Sequence, residues 1–207
     1  MLSAMRVGVF GGSFDPVHRG HVLLAECCRL QAALDRVIFV PAARQPHKPR
    51  TPRAGDADRL AMLNLAIAGR PEFATSPIEL ERGGVSYTVD TLRAIAAAEP
   101  GAKLYLLLGA DSLADLPTWR DPAAICAIAT PLAVRRPGWA EPNVEALTGI
   151  ASPQQLEEVR TLRVEMPATP ISSSRIRSLI VEGGEWQSLV PQEVAEYIVE
   201  RRLYQDA

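Results

Sequence analysis

Two of the chain's three histidines, His18 and His21, sit in the run Gly11-Gly12-Ser13-Phe14-Asp15-Pro16-Val17-His18-Arg19-Gly20-His21. On a helix, an i, i+3 spacing puts both imidazoles on one face. Gly11 and Gly12 lack Cβ atoms and let the backbone approach a ligand closely. A helix starting just after them offers unpaired N–H groups and the positive end of its dipole to an anion. The chemistry open to such a set is phosphate binding and charge stabilisation. Each part also has a plainer explanation. Gly-Gly after a strand is often only a turn. A histidine pair can hold a metal, although no HExxH pattern or cysteine partner accompanies this one. The GxGxxG dinucleotide fingerprint and the GxxxxGK[ST] P-loop are both absent. The concentration of two scarce histidines at a strand-to-helix switch favours the functional reading.

A second group, Ile171-Ser172-Ser173-Ser174-Arg175-Ile176-Arg177, opens a late helix. One serine there is explained by N-capping alone. Three serines followed by arginines also suit a polyphosphate, which accepts from hydroxyls, N–H groups and a guanidinium together. Gly109-Ala110-Asp111-Ser112 leads into Leu116-Pro117-Thr118-Trp119. Asp111 can accept from ribose hydroxyls or simply sit as an acid at a helix start, and Trp119 can stack on a flat ring or pack as an ordinary tryptophan. Ser86-Tyr87-Thr88 begins a helix, and Arg136-Pro137-Gly138 follows a strand as a ligand contact or a plain turn.

These residues need elements to position them. Arg6 to Phe10 and Val37 to Val40 read as buried strands, and His18 to Leu34 as a helix with Leu23, Leu24, Cys27 and Leu30 on its apolar stripe. Strand, crossover helix and strand over so short a span imply parallel pairing. Pro41 to Ala54 holds four prolines and reads as an exposed loop. A helix follows over Asp56 to Gly69, then an extended stretch from Phe73 to Glu81 broken at Pro77, and a helix over Thr88 to Glu99. Leu104 to Leu108 is the strongest strand signal. Ala127 to Val134 and Leu162 to Met166 are weaker strands, and helices over Ser174 to Glu182 and Gln192 to Leu203 close the chain. This alternation predicts an α/β fold: a Rossmann-like, open, mostly parallel sheet with helices on both faces and a small C-terminal helical part. Ligands in such sheets bind beyond the carboxyl ends of the strands, where the groups above fall.

Composition sets the outer bounds. The 207 residues suit a single domain over 1–207, with 171–207 as its C-terminal helical part. At 47% hydrophobic and 22% charged, the chain is neither a disordered polyelectrolyte nor a coiled coil. A formal net charge of −2 gives no basic excess for nucleic acid. No stretch is apolar enough to span a bilayer, and Met1 to Phe10 lacks a signal-peptide layout. Three cysteines without a CxxC pair fit free thiols. The expected location is cytoplasmic.

GGSFDPVHRGH resembles the signature of the HxGH nucleotidyltransferases, with His18-Arg19-Gly20-His21 as that motif. Ile171 to Arg177 is similar to the ISSTxxR motif of the same superfamily, with Ser174 in place of the usual threonine and Arg177 on the motif arginine. GADSLADLPTW, SYTVDTL, RPG and Pro46-His47-Lys48 narrow the resemblance to the bacterial nicotinate-nucleotide adenylyltransferase family. It spans nearly the whole chain and is thinnest over Ala140 to Thr161, where a variable connection is expected.

The resemblance implies adenylyl transfer from ATP to nicotinate mononucleotide, with Mg2+ bound on ATP and no metal ligand from the protein. His18, His21 and Arg177 would be catalytic. Gly12, Ser13, Phe14, Gly109, Asp111, Ser172, Ser173 and Ser174 would bind ATP. Lys48, Tyr87, Thr88, Trp119 and Arg136 would address the nicotinate nucleotide. It leaves open a monomer or a homo-oligomer. Alternatives are a sister adenylyltransferase for nicotinamide mononucleotide or phosphopantetheine, and a non-catalytic nucleotide sensor.

Overall fold

The computed structural model describes residues 4–46, 52–138 and 141–205. Among them the chain runs β1 (Arg6–Gly12), α1 (Arg19–Gln31), β2 (Arg36–Pro41), α2 (Asp56–Ile67), β3 (Phe73–Thr75), α3 (Ile78–Arg82) and α4 (Thr88–Ala98). It continues with β4 (Lys103–Gly109), α5 (Ala110–Asp115), α6 (Pro122–Ile128), β5 (Ala129–Arg135), α7 (Pro153–Thr161), β6 (Val164–Glu165), α8 (Ser173–Glu182) and α9 (Gln192–Glu200). Short 3-10 helices at Leu116–Thr118, Val144–Leu147 and Gln187–Leu189 complete it.

The strands form one sheet in the order β3-β2-β1-β4-β5-β6, and every pair is parallel. Buried strands alternate their side chains between two apolar layers. Val37 and Phe39 of β2 and Tyr105 and Leu107 of β4 join the layer holding α1, α2, α8 and α9. Ile38, Val40, Leu104, Leu106 and Leu108 join the layer built with α4 to α7. The expected Rossmann-like α/β fold is therefore present. The chain leaves β1 for β2 on one side and reaches β4 on the other, so the carboxyl ends of β1 and β4 flank the switch point where such sheets bind ligands. Among the described residues no helix is long and apolar enough to cross a membrane.

Four expectations need correction. The stretch through Glu81 is not extended throughout: β3 stops at Thr75 and α3 turns at once. Pro77 occupies its N-cap, and buried Glu79 accepts from the Thr91 hydroxyl at 2.6 Å, which fixes the turn against α4. The strand expected from Ala127 begins at Ala129, because α6 runs to Ile128 after an N-cap at Asp121, whose side chain accepts from Ala124 N. The stretch expected as a connection contains α7, started by Pro153 and a Ser152/Gln155 capping box. On α1 the buried stripe is Val22, Leu24, Ala25 and Cys28, whereas Leu30 is 62% exposed.

Candidate active site

The loop from β1 to α1 is shaped by glycines and one buried ring. A Cβ on Gly12 would meet the Phe14 ring at 3.0 Å, a tight approach that glycine relieves. Phe14 is buried among Phe10, Phe39 and His21, edge-on to Phe10 at 5.4 Å and to His21 at 5.0 Å. Only its backbone is available to a ligand. His18 is the N-cap of α1, and its N–H donates to His21 Nδ1 at 3.2 Å. That bond makes Nδ1 of a neutral His21 the acceptor and Nε2 the protonated donor. The two imidazoles stack with centroids 3.6 Å apart and planes inclined by 19°. Gly20 leaves room for the His18 ring, which a Cβ there would approach to 3.1 Å.

His18 is 6% exposed, and among the described residues its Nδ1 has no hydrogen-bond partner. Burial, and then the nearby Arg136 charge, lower its pKa to about 4, so it is neutral near pH 7. Arg136 is itself shifted down by burial, partly offset by the Asp111 carboxylate. A Cβ on Gly109 would lie 3.7 Å from Arg136 Nη2. Arg136 therefore sits with His18, Gly109 and Asp111.

The start of α8 faces this loop. Ser172 caps it: its Oγ accepts from Arg175 N at 3.2 Å and lies 3.2 Å from Ser174 Oγ. Ser173 Oγ donates to the Pro16 carbonyl at 2.9 Å, a tether between the two motifs. Arg177 Nη1 donates to the Asp15 carbonyl at 2.6 Å and lies 3.7 Å from Asp15 Oδ2. Between the two helix starts opens a cleft of about 660 Å³. Its lining includes Ser13, His18, His21, Arg136, Ser172, Ser173, Ser174 and Arg177, with Met166 to Ile171 as one wall. Two helix N-termini, two imidazoles and two guanidinium groups on one cleft suit a polyphosphate.

Tyr87, Thr88 and Trp119 do not line this cleft. Their segment adjoins it, because Arg44 bridges to Val85 and Ser86 Oγ accepts from Ala43 N at 3.0 Å beside the cleft residues Ala42 and Gln45. Tyr87 and Trp119 pack on the second apolar layer. Arg120 lies 4.6 Å over the Tyr87 ring and 3.7 Å from Asp90. Lys48 and His47 lie outside the described residues.

Two residues that matter here were not singled out from sequence. Asp15 is a buried carboxylate that accepts from Arg53 N, Ala54 N and the Tyr204 hydroxyl. Arg59, fully buried at 0% exposure, donates to the Ser13 carbonyl at 2.8 Å and pairs with Asp56. Asp15 lies within the quoted motif, so its position was visible although its partners were not. Arg59 gave no local signal beyond a charge at the start of an otherwise apolar helix face.

A parallel α/β sheet with a phosphate-suited cleft at its switch point defines a nucleotide-binding protein. The cytidylyltransferase-like family model matches residues 9–179. A Thermomicrobium roseum protein named "Probable nicotinate-nucleotide adenylyltransferase" is 41% identical over 199 residues, covering 96% of this chain and 91% of its own. A Gloeobacter violaceus protein of the same name is 39% identical over 204 residues, covering 96% of each. The chain belongs to the cytidylyltransferase-like family and, within it, to the nicotinate-nucleotide adenylyltransferases. The solved nicotinic acid mononucleotide adenylyltransferase of Plasmodium falciparum, complexed with NaAD, has the same fold, with a TM-score of 0.69 over 97% of each chain at 17% identity.

Proposed function

We propose that this protein transfers the adenylyl group of ATP to nicotinate mononucleotide, in NAD biosynthesis. A phosphate oxygen of the mononucleotide forms a bond to the α-phosphorus of ATP. The bond from that phosphorus to the α,β-bridging oxygen breaks, and pyrophosphate leaves with its electron pair. The products are nicotinate adenine dinucleotide and pyrophosphate. The nucleophile is already ionised near neutral pH, so positioning and charge stabilisation are the protein's task.

The observation that carries this reading is the convergence of His18, His21, Arg136 and the α8 start with Arg177 on one cleft. His18 and His21 act where charge develops at the α-phosphoryl group. His18 enters the reaction neutral, and the incoming phosphates offset the Arg136 charge beside it. Gly12, Ser13 and Phe14 hold phosphate through backbone groups, and Gly109 and Asp111 address the adenosine. Ser172, Ser174 and Arg177 hold the β and γ phosphates. Ser173 serves chiefly as the tether to Pro16. Tyr87, Thr88 and Trp119 contact the nicotinate ring, and Lys48 reaches phosphate from the proline-rich loop.

The donor set fits a magnesium ion that arrives on ATP. Among the described residues no group of three His, Cys, Asp or Glu side chains could hold a metal, and the Asp15 oxygens already accept from Arg53, Ala54 and Tyr204. Phosphate oxygens and water would be its ligands. When bound, it would neutralise phosphate charge. The chain works as one nucleotidyltransferase domain over 1–207, in the cytoplasm, without a nucleic-acid or membrane partner.

The deciding experiment is a steady-state assay of pyrophosphate release with ATP and each of three acceptors. The expected result is a kcat/KM for nicotinate mononucleotide well above those for nicotinamide mononucleotide and phosphopantetheine. Equal turnover of the three would overturn the assignment.

A further inference from the structure

The end of the chain reaches into the cleft's foundations. Tyr204 is buried, and its hydroxyl donates to Asp15 Oδ1 at 2.8 Å across 189 positions of sequence. The same carboxylate accepts from Ala54 N at 3.0 Å through Oδ1 and from Arg53 N at 2.8 Å through Oδ2. The carbonyl of Asp15 accepts from Arg177 Nη1 at 2.6 Å. One residue thus joins the C-terminus, the segment before α2 and the arginine that lines the cleft. Both ends of the Tyr204–Asp15 bond sit beside left-handed backbone. Tyr204 has φ +64° and Phe14, next to Asp15, has φ +46°. Bulky side chains adopt such φ values only where the surrounding structure over-determines them.

We propose that Tyr204 is a positioning residue for ATP: by holding Asp15, its hydroxyl sets the backbone oxygen on which the Arg177 guanidinium rests. This inference rests on the reading that Arg177 holds ATP phosphate. Two features separate the hydroxyl from the ring. The ring belongs to the apolar layer with α9, and that contact explains burial but not the choice of tyrosine over phenylalanine. Burial, followed by the Asp15 charge, pushes the phenol far above its ordinary range, so the hydroxyl stays a donor. Released from it, Asp15 keeps its backbone donors and Arg177 but loses its hydrogen bond to the segment after α9. The Asp15 carbonyl under Arg177 is then less closely fixed, and a displacement of about 1 Å in a positioning group costs on the order of 10²-fold in a reaction.

Tyr204→Phe is the test, since it removes one oxygen and keeps the ring. Calorimetric titration of the free enzyme with ATP, well below the variant's Tm, reads the effect without requiring turnover. The expected result is an ATP Kd weakened about fivefold to tenfold, within the net range for one ordinary hydrogen bond. The Kd for nicotinate mononucleotide stays within about twofold. In an Arg177→Lys background, Tyr204→Phe adds nothing further to the ATP Kd. A lowered Tm with unchanged ATP affinity, an equal loss for both ligands, or additive effects in the double variant would each overturn the proposal. Its failure is distinct from failure of the functional reading, which shows as the wild-type acceptor preference.

Discussion

The cleft between the β1–α1 loop and α8 differs in construction from the neighbouring surface of Tyr87, Thr88 and Trp119. In the cleft, two helix starts are tied to each other directly, by Ser173 on the Pro16 carbonyl and Arg177 on the Asp15 carbonyl. The groups proposed to meet phosphate are held by these tethers, and burial keeps His18 neutral to well below the ordinary histidine range. The Tyr87 and Trp119 surface is fixed by apolar packing on one side. On the other, part-buried hydrogen bonds hold it, Ser86 Oγ accepting from Ala43 N and the Thr91 hydroxyl donating to the Tyr87 carbonyl, beside more exposed links: Arg120 over the Tyr87 ring and near Asp90, and Arg93 to Asp121 at 3.0 Å. Such exposed pairs are worth ~0–1 kcal/mol each. The region suited to the phosphates, which every acceptor of this chemistry shares, is pre-organised by the protein. The region proposed for the ring, where acceptors differ, rests on apolar packing.

The largest effect that could break this contrast belongs to the cleft. His18→Ala should lower kcat by roughly two or more orders of magnitude, the scale of one pre-organised transition-state donor. The fold should persist, because the first turn of α1 keeps the His18 carbonyl as acceptor from His21 N at 2.9 Å and Val22 N at 3.4 Å. Steady-state kinetics with circular dichroism check both halves. Near-normal turnover would mean that the stacked imidazoles are architecture and that the cleft is not organised around them.

The same contrast explains what could be read from sequence. The apolar runs of β1, β2 and β4 were legible, since strands buried on both faces need continuous hydrophobic residues. The helices α5, α6 and α7 were less so, because they are short and their starts depend on local caps such as Asp121 and Ser152. His18, His21, the serines and Arg177 stood out by type and spacing. What spacing could not supply is tertiary: Asp15 takes its donors from 38, 39 and 189 residues away. The placement of Arg136 with His18 and Gly109 likewise follows from strand order, since β5 lies beside β4. The proposed ring site was named through the family resemblance, and its side chains alone do not declare it. Packing residues and stacking residues are the same residue types.

Trp119→Ala sharpens the comparison from the other side. Stacking on a base is worth ~1–3 kcal/mol by alanine substitution, so KM for nicotinate mononucleotide should rise about tenfold. KM for ATP should stay within about twofold, because Trp119 is outside the cleft lining. Varying each substrate at saturation of the other measures this. An equal loss for both would identify Trp119 as a packing residue of the second layer.

The smallest expected effect is thermodynamic and needs no substrate. The His18 pKa is about 4 in the folded chain, lowered first by burial and then by Arg136, against ~6.5 when unfolded. Below about pH 6.5 the unfolded chain gains a proton that the folded chain refuses, so stability falls as pH drops toward 4 and is constant above the unfolded value. Between pH 7 and 5.5 this one group accounts for about 1 kcal/mol. Urea unfolding at both pH values should therefore show His18→Gln losing about 1 kcal/mol less than the wild type. All other titrating groups are common to the two proteins and cancel in the difference. Trp119→Ala should keep the wild-type slope, because no titrating group of the cleft is altered. A His18→Gln variant as pH-sensitive as the wild type would mean that His18 accepts its proton in the folded state near the ordinary pH. The cleft would then be no more pre-set in charge than the surface beside it.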